Sequence, residues 1–357
     1  MRNENLPVLS ENPFTARSGI TDPRFFVGRK DELQAVITCM KCAQPTSVNI
    51  VGERRIGKTS LLYHIERTWS ERVENRERFV VIFLSMQEHR VHTKQDFFNT
   101  IAQELLRKPA ASKDYELADA LKSPVDDSKF ADAMGVFEKK GILPVLLLDE
   151  FQNLFKRPEA FDDNFYEYLR AIIDKSRIML AAATPYPIKH YKEKHNITST
   201  FFNNGRVEYL REFKKDEAEA LLRLPASTVN GALPVLNDRE KQLALEWCGT
   251  NKPLFLQMAA CRLVEARQNG NDEAWAKRKF IDDIKDFDNA KLKLRRELPN
   301  ILQLPERIVS FIKKLGDAFS SFMAWCFIVV LIIFTILALL GKIDFHEIFR
   351  IIKEFID

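Results

Sequence analysis

The sequence predicts an α/β fold, in which a parallel five-stranded sheet is sandwiched by helices and is followed by an α-helical lid and one transmembrane helix. Three observations predict this fold. Apolar runs of strand length alternate with helical patterns up to about Lys214, only helical patterns continue beyond that residue, and a long uncharged run lies near the C-terminus. Alternating strands and helices are typical of parallel sheets that are covered on both faces.

The composition indicates a globular chain with a modest positive charge. Its 357 residues are 46% hydrophobic, which is enough for a sizeable core, and the net charge of +4 does not indicate nucleic acid as a partner. The cysteines include one Cys-x-x-Cys pair, Cys39 and Cys42, without the second pair that a structural zinc site needs. The N-terminus lacks the pattern of a secretory signal, so the bulk of the chain is expected in the cytoplasm.

The clearest chemical motif is "SVNIVGERRIGKTSLLYHI", where an apolar strand precedes Gly-x-x-x-x-Gly-Lys-Thr and a helical pattern follows. Glycines let backbone N–H groups surround phosphates at a helix N-terminus, Lys58 can reach the β- and γ-phosphates, and the Thr59 hydroxyl can bind Mg²⁺. The side chains of Arg54 and Arg55 are expected in solvent or against a partner subunit. The sequence therefore predicts a P-loop that binds nucleotide through Gly52, Glu53, Arg54, Arg55, Ile56, Gly57, Lys58, Thr59 and Ser60.

A second strand supplies the carboxylates that such a loop needs. The run Leu143–Leu148 is continuously apolar, as in buried parallel strands, and it ends in Asp149 and Glu150. Asp149 is predicted to hold Mg²⁺ through water, and Glu150 is predicted to orient or deprotonate the attacking water. The pair indicates ATP hydrolysis in addition to binding.

Three further apolar segments complete the predicted sheet: "RERFVVIFLSM", "SRIMLAAATPYP" and "GRVEYLREF". The second of them ends in Thr184, whose hydroxyl is predicted to sense the γ-phosphate or the attacking water. The alternative is that Thr184 only caps the following turn.

Together these motifs resemble the STAND and archaeal-type ATPases of the AAA+ superfamily of P-loop NTPases. The resemblance also rests on Phe26-Val27-Gly28-Arg29 and on "CGTNKPLFLQMA", and it covers about residues 12–270. In those families the aromatic-x-Gly-Arg segment folds against the adenine, and the proline of the lid motif, here Pro253, approaches the nucleotide and reports its state to the lid. The resemblance implies ATP or ADP and Mg²⁺ as ligands.

The same resemblance implies a homo-oligomer. Arg206, just ahead of the fifth strand, stands where many AAA+ relatives place an arginine finger that acts on a neighbouring subunit. The alternative is a solvated arginine.

The uncharged run from Phe322 to Leu340 predicts a transmembrane helix, which we assign to residues 319–341. At about 1.5 Å per residue the run is roughly 28 Å long, close to the ~30 Å hydrocarbon core of a bilayer. Five Lys and Arg side chains lie between Arg295 and Lys314, and three follow the span. This asymmetry places the N-terminal side in the cytoplasm.

The predicted function is a signalling switch that binds and hydrolyses ATP at a bacterial or archaeal cytoplasmic membrane. It is expected to oligomerise when an unidentified protein activates it, in anti-phage or stress defence with membrane disturbance as output. The first alternative is an anchored AAA+ enzyme that remodels a protein or a nucleic acid, and the second is a soluble adaptor with negligible ATP turnover. The predicted parts are an N-terminal segment 1–24, an ATPase core 25–212, a lid 213–298, a juxtamembrane amphipathic helix 299–318, the span 319–341 and an amphipathic tail 342–357.

Overall fold

A computed structural model describes residues 12–15, 19–87, 91–195, 197–203, 205–225 and 234–297. The chain divides into two compact units, Met1–Asp286 and Phe287–Asp357, and the site described below lies in the first. The predicted juxtamembrane helix, span and tail fall outside the described residues. Across the part of the chain that is described, no helix is both long enough and apolar enough to cross a bilayer.

The predicted parallel five-stranded sheet is confirmed. Its strands are β1 (Val48–Val51), β2 (Phe79–Ser85), β3 (Leu143–Asp149), β4 (Met179–Thr184) and β5 (Arg206–Tyr209). They lie in the order β2-β3-β4-β1-β5, and every neighbouring pair is parallel. β4 therefore separates the strand that leads into the P-loop from the strand that ends in the two carboxylates.

Helices cover both faces of the sheet. Because side chains alternate along a strand, Ile82 and Leu84 of β2 join one apolar cluster and Phe79 and Val81 join another. The helices of this region are α1 (Lys30–Lys41), α2 (Lys58–Thr68), α3 (Lys94–Leu106), α4 (Pro109–Ser112), α5 (Tyr115–Ala120), α6 (Asp127–Lys139), α7 (Asp163–Asp174) and α8 (Ile188–Lys194). The first cluster contains side chains of α3, α6 and α7, and the second contains side chains of α1 and α2.

The lid follows the sheet as a helical layer. Its described helices are α9 (Lys215–Leu222), α10 (Asp238–Cys248), α11 (Pro253–Gln268) and α12 (Glu273–Glu297). They share a third apolar cluster, which also buries Phe14 from the N-terminal segment. Phe25 and Val27 pack against the same cluster, whereas Phe26 packs against the sheet cluster of α1 and α2. The segment ahead of α1 thus contributes side chains to both the core and the lid.

Local signals determine where these elements begin. The Asp162 side chain caps α7, Asn237 and Glu240 form a capping box at α10, and Pro253 takes the first position of α11, where a missing N–H costs nothing. β3 is buried at every position, as its continuous apolar run predicts. β5 is an edge strand, and its side chains are mostly exposed.

Candidate nucleotide-binding site

The P-loop connects β1 to α2 and has an open side. A Cβ on Gly52 would lie 2.9 Å from the Leu210 carbonyl oxygen, so only glycine fits there. Gly57 has a φ of 104°, and, apart from its own neighbours along the chain, no atom lies within 4 Å of the place where its Cβ would be. The side chains of Arg54 and Arg55 are exposed, as expected. The loop therefore presents backbone to a space that phosphate groups can occupy.

The Lys58 ammonium lies inside this loop. Its Nζ donates to the carbonyl oxygens of Gly52 at 2.8 Å and Glu53 at 2.9 Å. Burial lowers the pKa of Lys58, and the negative charges of Glu150 and Asp149 oppose that shift. A buried cation that is held by its own loop is placed to exchange those carbonyls for phosphate oxygens.

Thr59 and Asp149 meet directly, as the metal prediction requires. The Thr59 hydroxyl donates to Asp149 Oδ2 at 2.7 Å. The second carboxylate oxygen, Oδ1, is buried and has no hydrogen-bond partner, and burial raises the pKa of this carboxyl group. A buried oxygen without a partner is costly, and a hard cation such as Mg²⁺ would satisfy it.

This pair fits Mg²⁺ better than it fits a metal that needs a complete protein cage. Among the described residues, no group of three or more His, Cys, Asp and Glu side chains could hold a metal ion. Mg²⁺ commonly binds one or two protein ligands and completes its shell with water and substrate phosphates. The two oxygen ligands that Thr59 and Asp149 offer match this coordination of Mg²⁺.

Glu150 lies next to Asp149 at the end of β3. Its backbone is left-handed, with a φ of 52°, a conformation that costs energy in a residue other than glycine and that clusters at functional sites. The Gln152 side-chain amide donates to Glu150 Oε2. Sequence reasoning missed Gln152, because its role appears only when the turn after β3 brings it back towards the carboxylate.

Thr184 ends β4 next to the P-loop, since the Gly52 N–H donates to its carbonyl oxygen at 3.2 Å. Its side chain is fully buried. The hydroxyl accepts from Asn49 Nδ2 at 2.8 Å and donates to the Tyr186 carbonyl oxygen at 2.6 Å. The predicted sensor role therefore requires that the bond to Tyr186 be exchanged for one to phosphate or water. Asn49 was not anticipated, although a buried asparagine within an apolar strand is itself a signal.

Arg206 begins the edge strand β5, at the end of the sheet opposite the P-loop. It pairs in register with Val48, whereas Val51, just before the P-loop, pairs with Tyr209. Three residues of strand separate the two ends by roughly 10 Å, so Arg206 cannot reach the loop of its own chain. Its half-exposed guanidinium contacts Glu208 at 3.0 Å. Its predicted role as an arginine finger would have to be played on another subunit.

The lid reaches the P-loop through the residue before Pro253. Lys252 Nζ lies 2.9 Å from Glu53 Oε1, so one residue of the loop contacts both Lys58, through its carbonyl, and the lid, through its carboxylate. Pro253 follows directly as the first residue of α11. Contact between Pro253 and the nucleotide stays a prediction.

The segment ahead of α1 lies against α2, the helix that follows the P-loop. The Phe26 ring stacks on His64, with centroids 4.2 Å apart. The Ile20 N–H donates to the Ser60 hydroxyl at 2.9 Å. The predicted adenine-side segment and the predicted Ser60 site are therefore brought together along the first turns of α2.

Comparison with known proteins agrees with this fold. Residues 43–184 match the family model described as an AAA domain. A Walker-type ATPase of Pyrococcus abyssi is similar in structure, with a TM-score of 0.60, 16% sequence identity, and coverage of 96% of this chain and 92% of that chain. The ORC2 protein of Aeropyrum pernix, solved as ADPNP-ADP complexes, has a TM-score of 0.50 and 16% identity over 71% of this chain and 67% of that chain. No curated protein matches.

The P-loop beside Thr59 and Asp149 thus lies in a parallel α/β sheet that is similar in fold to these two solved structures, and residues 43–184, which hold both side chains, are similar to an AAA domain. Membership of the AAA+ superfamily and the STAND assignment within it stay predictions.

Proposed function

We propose that this chain is an ATP-binding and ATP-hydrolysing switch, anchored in a bacterial or archaeal cytoplasmic membrane, that assembles into an oligomer when activated. One observation carries the ATPase part. The Thr59 hydroxyl and the unpartnered oxygen of Asp149 stand beside a P-loop whose lysine is held inside the loop.

Each residue of the site has a distinct role in this proposal. Lys58 binds the β- and γ-phosphates after it leaves the carbonyls of its own loop. Thr59 and Asp149 would hold Mg²⁺, which neutralises phosphate charge when bound. Glu150 orients the attacking water or takes its proton, and Gln152 fixes the carboxylate of Glu150.

The contact between the lid and the P-loop supports a switch. Lys252 and Glu53 are partly exposed, and exposed ion pairs contribute little stability. Bound phosphate can therefore compete with Glu53 for the Lys252 ammonium, and breaking the ion pair costs little free energy. Nucleotide binding would in this way change how the lid contacts the P-loop. Signalling in anti-phage or stress defence is the output that the resemblance to STAND ATPases suggests.

The ATPase part is tested with Asp149→Asn. The full chain, kept in mild detergent, should hydrolyse ATP in the presence of Mg²⁺, and the variant should lose this activity because a neutral amide binds Mg²⁺ poorly. Asp163→Asn is a matched control, because the Asp163 carboxylate accepts from the backbone N–H groups of Thr198 and Ser199, which are not part of the P-loop. Equal Mg²⁺-dependent turnover in wild type and Asp149→Asn would refute the proposal.

The membrane part rests on the uncharged run in residues 319–341. Carbonate extraction should leave the full chain in the membrane pellet, whereas a chain shortened to end before Ala318 should be released and still bind ATP. A full chain that is released by carbonate would favour the soluble adaptor instead.

The location of Arg206 also favours a second candidate, an anchored AAA+ enzyme that remodels a protein or a nucleic acid. Arg206 begins the edge strand β5 at the end opposite the P-loop, so an arginine finger at this position would act on a neighbouring subunit. Under this candidate, Arg206→Ala should lower turnover and leave nucleotide affinity unchanged.

A further inference from the structure

Arg29, which the family resemblance places against the adenine, is turned into the protein. Its side chain is 3% exposed. Nη2 donates to the carbonyl oxygens of Ile56 at 3.0 Å and Arg211 at 2.6 Å, and Nη1 donates to Glu32 Oε1 at 3.0 Å. The guanidinium lies over the Phe213 ring, 4.7 Å from its centroid. One buried side chain thus joins the P-loop, the end of the fifth strand and the start of the lid.

The backbone of Arg29 is held from the lid side. Its N–H donates to Glu217 Oε1 at 2.6 Å, and the other oxygen of that carboxylate accepts from the Lys214 N–H at 2.8 Å. A Cβ on Gly28 would lie 2.7 Å from Glu217 Oε1. The glycine therefore lets the lid carboxylate approach closely, and this contact leaves Arg29 little freedom to turn outward.

The bond to Ile56 has a geometric consequence for the loop. The peptide between Ile56 and Gly57 is trans, because the cis bond among the described residues is Ser123–Pro124. In a trans peptide the C=O and the N–H point in opposite directions. While Arg29 holds the Ile56 carbonyl, the Gly57 N–H points away from Arg29, and the space where a Cβ on Gly57 would lie is open.

We propose that Arg29 is a positioning residue for phosphate binding, which holds the Ile56–Gly57 peptide so that the Gly57 N–H is presented to the phosphates. This inference rests on the proposed nucleotide site and deepens it. It assigns Arg29 to the phosphate side of the ligand and gives it no contact with the base. Glu217 holds the backbone of Arg29 and the Phe213 ring lies against its guanidinium, so the lid shares in setting the P-loop.

The test compares a nucleotide with a ligand that has phosphates only. Dissociation constants of a non-hydrolysable ATP analogue and of inorganic tripolyphosphate are measured by calorimetry with Mg²⁺, on the full chain in detergent. Arg29→Lys keeps the charge but loses the rigid planar fork of donors that holds both carbonyls and Glu32 in one fixed geometry. It should weaken both ligands by the same factor, about tenfold, as expected for the loss of a hydrogen bond to a charged group.

Two controls separate positioning from general destabilisation. Arg262→Lys alters an arginine that bonds to Asp283 and Glu265 within the lid, and it should leave both constants unchanged. Where Arg29→Lys does not fold, Phe213→Leu removes the ring beside the guanidinium while keeping an apolar side chain in the third apolar cluster, and it should weaken both ligands equally but less.

Three results would overturn either the role of Arg29 or the nucleotide site on which it rests. If the ATP analogue is weakened and tripolyphosphate is not, Arg29 contacts the nucleoside and the inference is wrong. If both constants stay unchanged in folded Arg29→Lys, the inference also fails. If wild-type protein binds neither ligand, the proposed nucleotide site itself is refuted.

Discussion

Replacing Asn49 by alanine should remove a large part of the stability of the sheet. The Asn49 side chain donates to the Ala182 carbonyl oxygen at 2.9 Å and to the Thr184 hydroxyl at 2.8 Å, and its Oδ1 accepts from the Ile188 N–H at 2.9 Å. Each such bond contributes about 1 kcal/mol net, so the three together predict a loss of about 3 kcal/mol. Whole domains are stable by only about 5–15 kcal/mol.

The assay is urea unfolding followed by far-UV circular dichroism. Ser47→Ala is the matched control, because Ser47 stands just before the same strand and contacts β4 through one bond, from the Leu180 N–H at 3.1 Å, and should cost about 1 kcal/mol. Asn49→Ala should also slow ATP turnover, since it frees the Thr184 hydroxyl from its fixed orientation. A loss no larger than that of Ser47→Ala would refute the view that Asn49 clamps β1, β4 and the start of α8 together.

Three other predictions concern single groups of the site. Lys58→Ala should abolish nucleotide binding in calorimetry, whereas Glu150→Gln should bind ATP normally and hydrolyse it about 100-fold more slowly; unchanged turnover would remove Glu150 from its role. The Glu53–Lys252 pair should show a coupling energy of about 0.5 kcal/mol in a double-mutant cycle of thermal unfolding, and this coupling should disappear at high salt. The charge swap that combines Glu53→Lys with Lys252→Glu should restore the coupling at low salt. No coupling at low salt in the wild-type pair would contradict the contact. Burial, with a smaller contribution from a neighbouring arginine, lowers the pKa of His64 below its ordinary 6.5. The folded state therefore prefers the neutral ring, and its free energy of unfolding decreases as pH falls below 6.5. His64→Phe should make the free energy of unfolding less dependent on pH between pH 7 and 5, and an unaltered dependence would assign it to other groups.

The sheet could be predicted because each buried strand is a short, continuous apolar segment of the sequence. β3 and β4 are buried at every position, so both appear in the sequence as continuous apolar runs with clear ends. Between β2 and β3, the helical pattern "TKQDFFNTIAQELLRK" predicts α3, whereas α4, α5 and α6 were not assigned. α5 is only six residues long, too short for a helical period to stand out. α6 has Phe130, Ala133, Met134 and Phe137 buried on one face, and that spacing could have revealed it.

The candidate site was only partly predictable for a different reason. The loop and its carboxylate strand are contiguous motifs, so sequence order alone located Lys58 and Asp149. Asn49 and Gln152 matter because of what they face after folding, across a strand pair or around a turn, and no spacing rule encodes that. Arg29 shows the limit of a motif, since its position was found but the direction of its side chain was set by tertiary partners.

The shared packing of the N-terminal segment has a practical consequence for dividing the chain. A fragment that contains only residues 25–212 would expose Phe25 and Val27, because the lid side chains that cover them are missing. A separate lid fragment would lack Phe14, which is buried in its apolar cluster. The fragment 25–212 would then have exposed apolar side chains, and it would tend to self-associate. Self-association measured on it would then report damaged packing and not nucleotide state, so assembly has to be studied on chains that keep the segment, the sheet and the lid together.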